Sequence, residues 1–394
     1  MNAQYSPKQF FRKVSNKLLI DYFKIKDIDF DLDLDSIYDH EVDLIFEAFL
    51  KLDDLTRHRI ESDFQRINAL ATDGGIIALT DEAKEFDNAN FVEQIAEIYG
   101  LHNKAMWAFL DSPEYWQGAS IFFQTANIPS SYWRKIKNLP AFDKPFEEID
   151  IELLAQTIGE YFFIKEGRGK RCKIEYYKRG ELDYFCAFPE DFAKTEVEWV
   201  QDGLQDLPHT MAFEIIFVYC ERLATLDVYA KNNARNVPKL QQLFVQNILK
   251  SKLKNFTPFV EDKVYDLEPL VTADFNFVIP ENTDIFNVQI LKVHATSCID
   301  PKSHIAIIEC PDKNKNAIHE RLAELNLSNR YTSEVTLKVS FFPKPNRAHQ
   351  TRTFTLSMPD KCNLGNFGDE LLIREMLTAS GIEPQPVNMS LPCV

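Results

Sequence analysis

The residues whose types and spacing could do chemistry fall into a few groups, each with a plain structural reading beside it. In DIDFDLDLD, aspartates at 27, 29, 31, 33 and 35 would line one side of an extended segment, with Ile28, Phe30, Leu32 and Leu34 on the other. Clustered carboxylates suggest a divalent cation. A calcium loop begun at Asp31, however, meets Ser36 where the turn glycine belongs and Val42 where the bidentate glutamate belongs. Neighbouring carboxylates about 7 Å apart in water repel by roughly 0.6 kcal/mol, whereas burying each facing apolar side chain stabilises by roughly 1.5 to 3 kcal/mol. Burial wins without a cation, so the expectation is a half-buried arm with a solvated acidic face and no metal or cofactor. Ser36 would then cap the next helix, with Asp39 at its third position.

The densest basic cluster is EGRGKRCKIEYYKRG, with Arg168, Lys170, Arg171, Lys173, Lys178 and Arg179, directly after Lys165. If Arg179 and Gly180 form a two-residue hairpin turn, Tyr177 faces Leu182, Lys173 faces Cys186 and Arg171 faces Phe188. One sheet face would then carry Arg171, Lys173, Tyr177, Tyr184 and Phe188, and its reverse Cys172, Ile174, Phe185 and Ala187 as a core face. Cations interleaved with aromatic rings suit a single-stranded nucleic acid or nucleotide, because phosphates take the charge while bases stack. They also suit a protein partner, and an ordinary solvated hairpin has the same composition. The candidate binding residues are Arg168, Lys170, Arg171, Lys173, Tyr177, Arg179, Tyr184 and Phe188, with no catalytic residue assigned. A second basic loop, FPKPNRAHQTR, holds Lys344, Arg347, His349 and Arg352 and reads as a wet hairpin loop.

Catalytic patterns are thin. The phosphate loop fails in GRGKR, because Ile164 stands at the first glycine position and a helix, not a strand, precedes it. GxGxxG, GxSxG and HExxH do not occur. A nuclease-type centre needs paired carboxylates and a lysine to hold a metal and position water. Asp300 and Glu309 come nearest, but Pro311 occupies the expected lysine position and Lys313 lies beyond. His294, Cys298, His304 and Cys310 belong to neighbouring expected strands and could converge, although buried cysteines and surface histidines are the commoner outcome. His319 and Glu320 read as helix surface.

The elements that would position these residues change character along the chain. Up to about residue 140 the apolar spacing is helical: Ser6 and Pro7 open a helix, Phe10, Phe11, Val14, Leu18 and Phe23 recur at three- and four-residue steps, and further helices are expected at about 36–52, 54–71, 90–110 and 112–125. LPAFDKP, Leu139 to Pro145, reads as a linker. After a helix at about 150–164 come short β-branched and aromatic runs: RCKIEYYK, LDYFCAF, AFEIIFVYC, TLDVYA, FNVQILKVHAT, HIAIIEC, EVTLKVSFF and RTFTLSM. Helices in VPKLQQLFVQNILKSKL, NAIHERLAELNL and GDELLIREMLTASG follow successive strand pairs, the last closed by Gly381. The expected fold class is α+β: an all-α N-terminal domain, 1–140, then an antiparallel-sheet domain of ββα-like units, 150–394, divisible into 150–260 and 265–394.

Composition narrows the classes. A chain of 394 residues with 45% hydrophobic content, 31 Phe and 14 Tyr has the apolar surface for a sizeable core and is neither disordered nor fibrous. Net charge is −16, and 16 basic against 27 acidic side chains lie in the first 150 residues, so any polyanion would need a local basic patch. Lys8, Arg12, Lys13, Lys17, Lys24 and Lys26 precede the aspartate run; their helix could lie on a membrane, but docking within its own domain beside the acids is preferred. Seven scattered cysteines without a CxxC pair read as free thiols, and no signal-like or spanning apolar run occurs, so a cytoplasmic location without a membrane partner is expected. The leading reading is a non-catalytic binding or adaptor subunit of an intracellular multiprotein assembly, with the basic-aromatic hairpin as candidate binding face and the acidic N-terminal surface as a second. A metal-dependent enzyme acting on nucleic acid or nucleotides, using Asp300, Glu309 and Lys313, is the alternative.

Overall fold

The computed structural model describes residues 5–30, 32–38, 41–129, 132–139, 146–200, 203–251, 264–272, 274–281, 283–299, 304–310, 317–325, 329–343, 351–365 and 369–383. It has an all-helical N-terminal region followed by antiparallel sheets with helices, the α+β class that the change in apolar period implies. The chain divides into two compact units, Met1–Ile128 and Pro129–Val394.

The first unit is built from α1 (Pro7–Phe11), α2 (Asn16–Ile25), α3 (Val42–Leu50), α4 (Asp54–Leu70), α5 (Asp73–Glu85), α6 (Ala89–Glu97), α7 (Leu101–Asp111) and α8 (Glu114–Ala126). Its aromatic residues find one another across sequence: Phe10 stacks on Phe64 at 4.3 Å between centroids, and Phe11 meets Phe64 and Phe49 edge-on. Side-chain caps start three of the helices, with Asp53, Thr72 and Asn88 accepting from the amides of Thr56, Gly75 and Phe91. Three expectations need correction. Helix α3 starts at Val42, and Ser36 ends a short 3₁₀ turn in which its hydroxyl donates to the Asp33 carbonyl; Asp39 lies outside the described residues. The stretch 90–110 is two helices, because the chain leaves the helical region at Ile98 and Gly100 takes φ +87°. Helix α5, Asp73–Glu85, was not among the expected helices.

The aspartate arm keeps the expected alternation without forming a strand. Asp27, Asp29 and Asp33 are exposed, while Ile28, Phe30, Leu32 and Leu34 face the helical core, and Phe30 stacks on Phe23 at 4.2 Å. Asp31 and the side chain of Asp35 fall outside the described residues. Cations of the preceding helices pair elsewhere, Lys8 with Asp43 and Lys26 with Asp63.

The second unit begins with a strand inside the region expected to be helical. β1 (Trp133–Ile136) pairs with β6 (Thr225–Tyr229), so sheet structure starts before residue 140; of the expected linker only Leu139 is described, and it is buried. After α9 (Glu148–Glu166) come β2 (Cys172–Arg179), β3 (Leu182–Val200), β4 (Gly203–Ala212), β5 (Ile215–Cys220), β6 and α10 (Val237–Asn247). Their antiparallel sheet has the order β1-β6-β5-β3-β2, with β4 paired to the far half of β3. The second sheet, β11-β10-β9-β7-β8, is formed by β7 (Ile285–Ser297), β8 (His304–Glu309), β9 (Arg330–Phe341), β10 (Thr351–Ser357) and β11 (Lys361–Cys362), with α11 (Ala317–Leu325) after β8 and α12 (Asp369–Ala379) after β11.

Helices α9 and α10 cover one face of the first sheet, burying Leu154, Ile158 and Phe162 against Phe185, Phe217 and Phe244. Its other face is buried too, at Tyr184, Cys186, Ile216 and Val218. Charged groups are enclosed on that side: Lys135 and Asp227 pair at 3.3 Å, and the Tyr184 hydroxyl lies within electrostatic reach of Asp227 and of Arg374 from α12. Each nitrogen of Arg374 has a partner: it donates to the carbonyls of Gly365 and Leu364 at 2.8 and 2.7 Å and to the Glu383 carboxylate. A buried cation with every nitrogen bonded and a carboxylate among its partners holds α12 to the residues flanking it without leaving an uncompensated charge.

Candidate functional site

The β2–β3 hairpin carries the basic cluster, and its register differs from expectation. Gly180, with φ +54°, occupies the first central turn position rather than the second, so that Arg179 pairs with Leu182, Tyr177 with Tyr184 and Lys173 with Phe188. A positive φ at the first turn residue is cheap only for glycine, which moves each partner by two positions. A shift of two preserves the faces. Lys173, Tyr177, Tyr184 and Phe188 do share one side, and Ile174, Phe185 and Ala187 form the core side.

The open platform expected on the first of these sides does not exist. Tyr184 is 3% exposed, covered on the side where Arg374 lies. The Tyr177 hydroxyl donates to Glu175 at 3.0 Å, and Phe188 is half-buried. Lys173 pairs with Glu175 at 3.1 Å, and Arg171 makes a two-pronged contact with Glu190 at 3.0 and 3.2 Å. Lys170 is exposed, and Arg179 is half-buried at the turn.

Arg168 is the clearest departure. Its guanidinium is 12% exposed and donates to Glu166 at 2.9 Å, Asp191 at 2.7 Å and Asn233 at 2.8 Å. The rings of Phe213, Phe192 and Phe162 surround it, Phe213 at 4.1 Å. Burial alone would raise Glu166 and Asp191, but hydrogen bonds from Asn236 and then Arg168 at Glu166, and from Arg168 at Asp191, with the charge of Arg168, outweigh it and hold both carboxyls below their ordinary range. Arg168 therefore ties the end of α9 to the root of the β3–β4 ribbon, with each of its three nitrogens engaged inside the protein.

That ribbon was missed in the sequence. β3 continues past the sheet to Val200 and returns as β4, pairing Ala193 with Thr210 through Val200 with Gly203. Among the described residues no third strand joins it. At about 3.3 Å per residue it reaches roughly 25 Å beyond its root. Val197 and Trp199 on β3 share a face with Leu204 on β4, and their exposures are 65%, 74% and 59%. Glu196 and Glu198 lie on its other face, where Glu198 approaches His209 at 2.8 Å. The signal available in EVEWVQDGLQDLPH was two alternating runs around a DG pair.

A second concavity lies along β2. This strand ends the sheet, and between it and α9 runs a groove of about 1000 Å³. Its floor is apolar, with Ile151, Ala155, Phe163, Cys172, Ile174 and Tyr176. Glu148, Glu152, Gln156 and Glu160 recur every four residues along one wall, and Lys170, Arg171 and Lys173 form the other. The helix sits close to the incoming chain at one point only a glycine permits: a Cβ on Gly159 would stand 2.7 Å from the Gly169 carbonyl oxygen. Burial pushes the Cys172 thiol up to about 12, which keeps it protonated and unreactive.

The other candidates do not assemble. Glu309 is exposed on β8 opposite Lys292, while Asp300, Pro311 and Lys313 lie outside the described residues. His294 approaches Glu334 at 3.4 Å, and the Cys310 amide bonds the Leu291 carbonyl, about 10 Å away along β7. Cys298 is exposed, and the His304 side chain is not described. His319 is half-buried against the Leu270 carbonyl at 3.0 Å, not simple helix surface. Lys344, Arg347 and His349 fall outside the described residues. Among the described residues no group of three or more His, Cys, Asp or Glu is arranged to hold a metal, and no helix is long and apolar enough to cross a membrane. No protein-family model and no curated protein matches this chain.

Proposed function

We propose that the protein is a non-catalytic binding or adaptor subunit of an intracellular multiprotein assembly, and that the β3–β4 ribbon is its principal docking element. The observation that carries this reading is the exposure of Trp199, Val197 and Leu204 together on one face of the ribbon. An isolated two-stranded ribbon is marginal in water, and clustered apolar side chains on it favour a partner. Covering each of the three would stabilise a complex by roughly 1.5 kcal/mol or more, with Trp199 the largest single contributor. Asp206, paired directly with Val197, shares that face, so the fitting partner is a protein with an apolar cleft that carries a basic side chain.

Arg168, just ahead of the basic hairpin, supports the ribbon by bonding Asp191 at its root. The test is affinity capture from native extract on the purified full chain, nuclease-treated, alongside a Trp199→Ser, Leu204→Ser variant. A protein retained in stoichiometric amount by the native chain, insensitive to nuclease and lost with the variant, is the expected result. Equal retention by both chains, or retention that vanishes with nuclease, refutes it.

A further inference from the structure

We infer that the groove between β2 and α9 binds an extended peptide segment of a partner protein by strand addition to β2. The inference is independent of the ribbon, and a Trp199→Ser variant should bind such a peptide unchanged.

The backbone argues first. β2 and β3 are joined by a two-residue turn, so the flanking residues Arg179 and Leu182 exchange both hydrogen bonds, and alternate residues from there, Tyr177, Glu175 and Lys173, direct their backbone groups toward β3. The N–H and C=O groups of Tyr176, Ile174 and Cys172 then point away from the sheet, into the groove that these same residues line. No strand pairs with that edge among the described residues. An edge of this kind is a template for one more strand.

Dimensions and charge identify the occupant. Within the groove β2 contributes Cys172 to Tyr176, about 13 Å of extended chain, and Lys170 and Arg171 precede it in a bend. The α9 wall from Glu148 to Phe163 spans about 22 Å of helix. The α9 length matches an added strand of about seven residues. Side chains of an added strand alternate between faces. Those on the α9 side meet the apolar floor with Glu148, Glu152 and Glu160 above it, and those on the opposite side meet Arg171 and Lys173. The peptide class is therefore one that alternates basic or aliphatic residues with acidic ones. Arg171 and Lys173 are free to take new partners because their ion pairs with Glu190 and Glu175 are exposed on the cation side and worth little.

A phage-displayed library of random seven-residue peptides, selected on the full chain and counter-selected on a Glu152→Lys, Glu160→Lys variant, tests this. Peptides with the alternating pattern should enrich. A synthesised representative should bind the double variant roughly tenfold more weakly, with the difference shrinking as salt rises. On a second variant, Arg171→Glu with Lys173→Glu, the acidic preference should invert to basic. In hydrogen exchange the bound peptide should slow the amides of Cys172, Ile174 and Tyr176. Failure to enrich any peptide on the native chain over the double variant overturns the inference, as does a bound peptide that leaves those three amides exchanging as before.

Discussion

Replacing Arg168 with methionine removes one charge from a site that has few substitutes for it. Methionine keeps the apolar reach between Phe213, Phe192 and Phe162, so the change isolates the guanidinium. Glu166 and Asp191, with side chains 26% and 19% exposed, would lose their cation, and Asn233 would lose a donor to its carbonyl oxygen. Breaking a buried ion pair costs about 3 to 5 kcal/mol. Partial solvation of the two carboxylates places this case at the lower end, about 3 kcal/mol, which for a unit of this size corresponds to a fall in Tm of roughly 6 to 12 °C. The pH dependence adds a second constraint. Both carboxyls are held below their ordinary range in the folded state, so their contribution is fully present above the unfolded pKa of about 4 and is lost as pH falls through the lower folded values. The deficit of Arg168→Met should therefore be largest near pH 7 and should narrow on acidification, because the native chain loses the same pairs while the variant's desolvated carboxyls become neutral. Scanning calorimetry of the sheet-bearing unit at several pH values measures this, with Arg168→Lys as an intermediate case that keeps the charge and loses the fork. A deficit below about 1 kcal/mol at pH 7, or one that stays constant on acidification, would refute the assignment of Arg168 as an internal anchor.

Two further outcomes follow from buried titratable groups. Burial, with a smaller push from Lys13, lowers the His102 imidazole to about 4, so the unfolded chain binds a proton that the folded helical unit does not; stability of that unit should fall as pH drops from about 6.5 toward 4, and His102→Gln should flatten the slope in acid melts followed by circular dichroism. Among the described cysteines Cys298 is exposed while Cys186, Cys220 and Cys362 are buried, so mass spectrometry after brief iodoacetamide treatment of the native chain should show Cys298 alkylated and those three protected until denaturant is added. Early labelling of Cys186 would mean that the reverse face of the first sheet opens in solution.

The sequence by itself determined what depends on short-range pattern. Apolar residues at helical steps marked the first region as a bundle, β-branched and aromatic runs marked the strands, and the order of elements alone implied an antiparallel α+β unit. Alternation in DIDFDLDLD and in CKIEYYK predicted which side chains turn inward even where the segment proved not to be a strand or the register proved two residues off, because inward and outward assignment depends on local parity. What only the tertiary structure decided was which exposed-looking residues remain exposed. Tyr184 is polar at one end and sits in a basic-aromatic run, yet it is buried on the side of α12; Arg168 belongs to the densest basic cluster, yet Asp191, Phe192 and Phe213 from later in the chain close on it together with its near neighbours Phe162 and Glu166. The groove beside β2 was likewise hidden, because its two walls come from elements whose distance apart is set by the close approach of Gly159 to Gly169. Burial and partnership are properties of surfaces brought together from far along the chain, and a one-dimensional pattern carries no term for that.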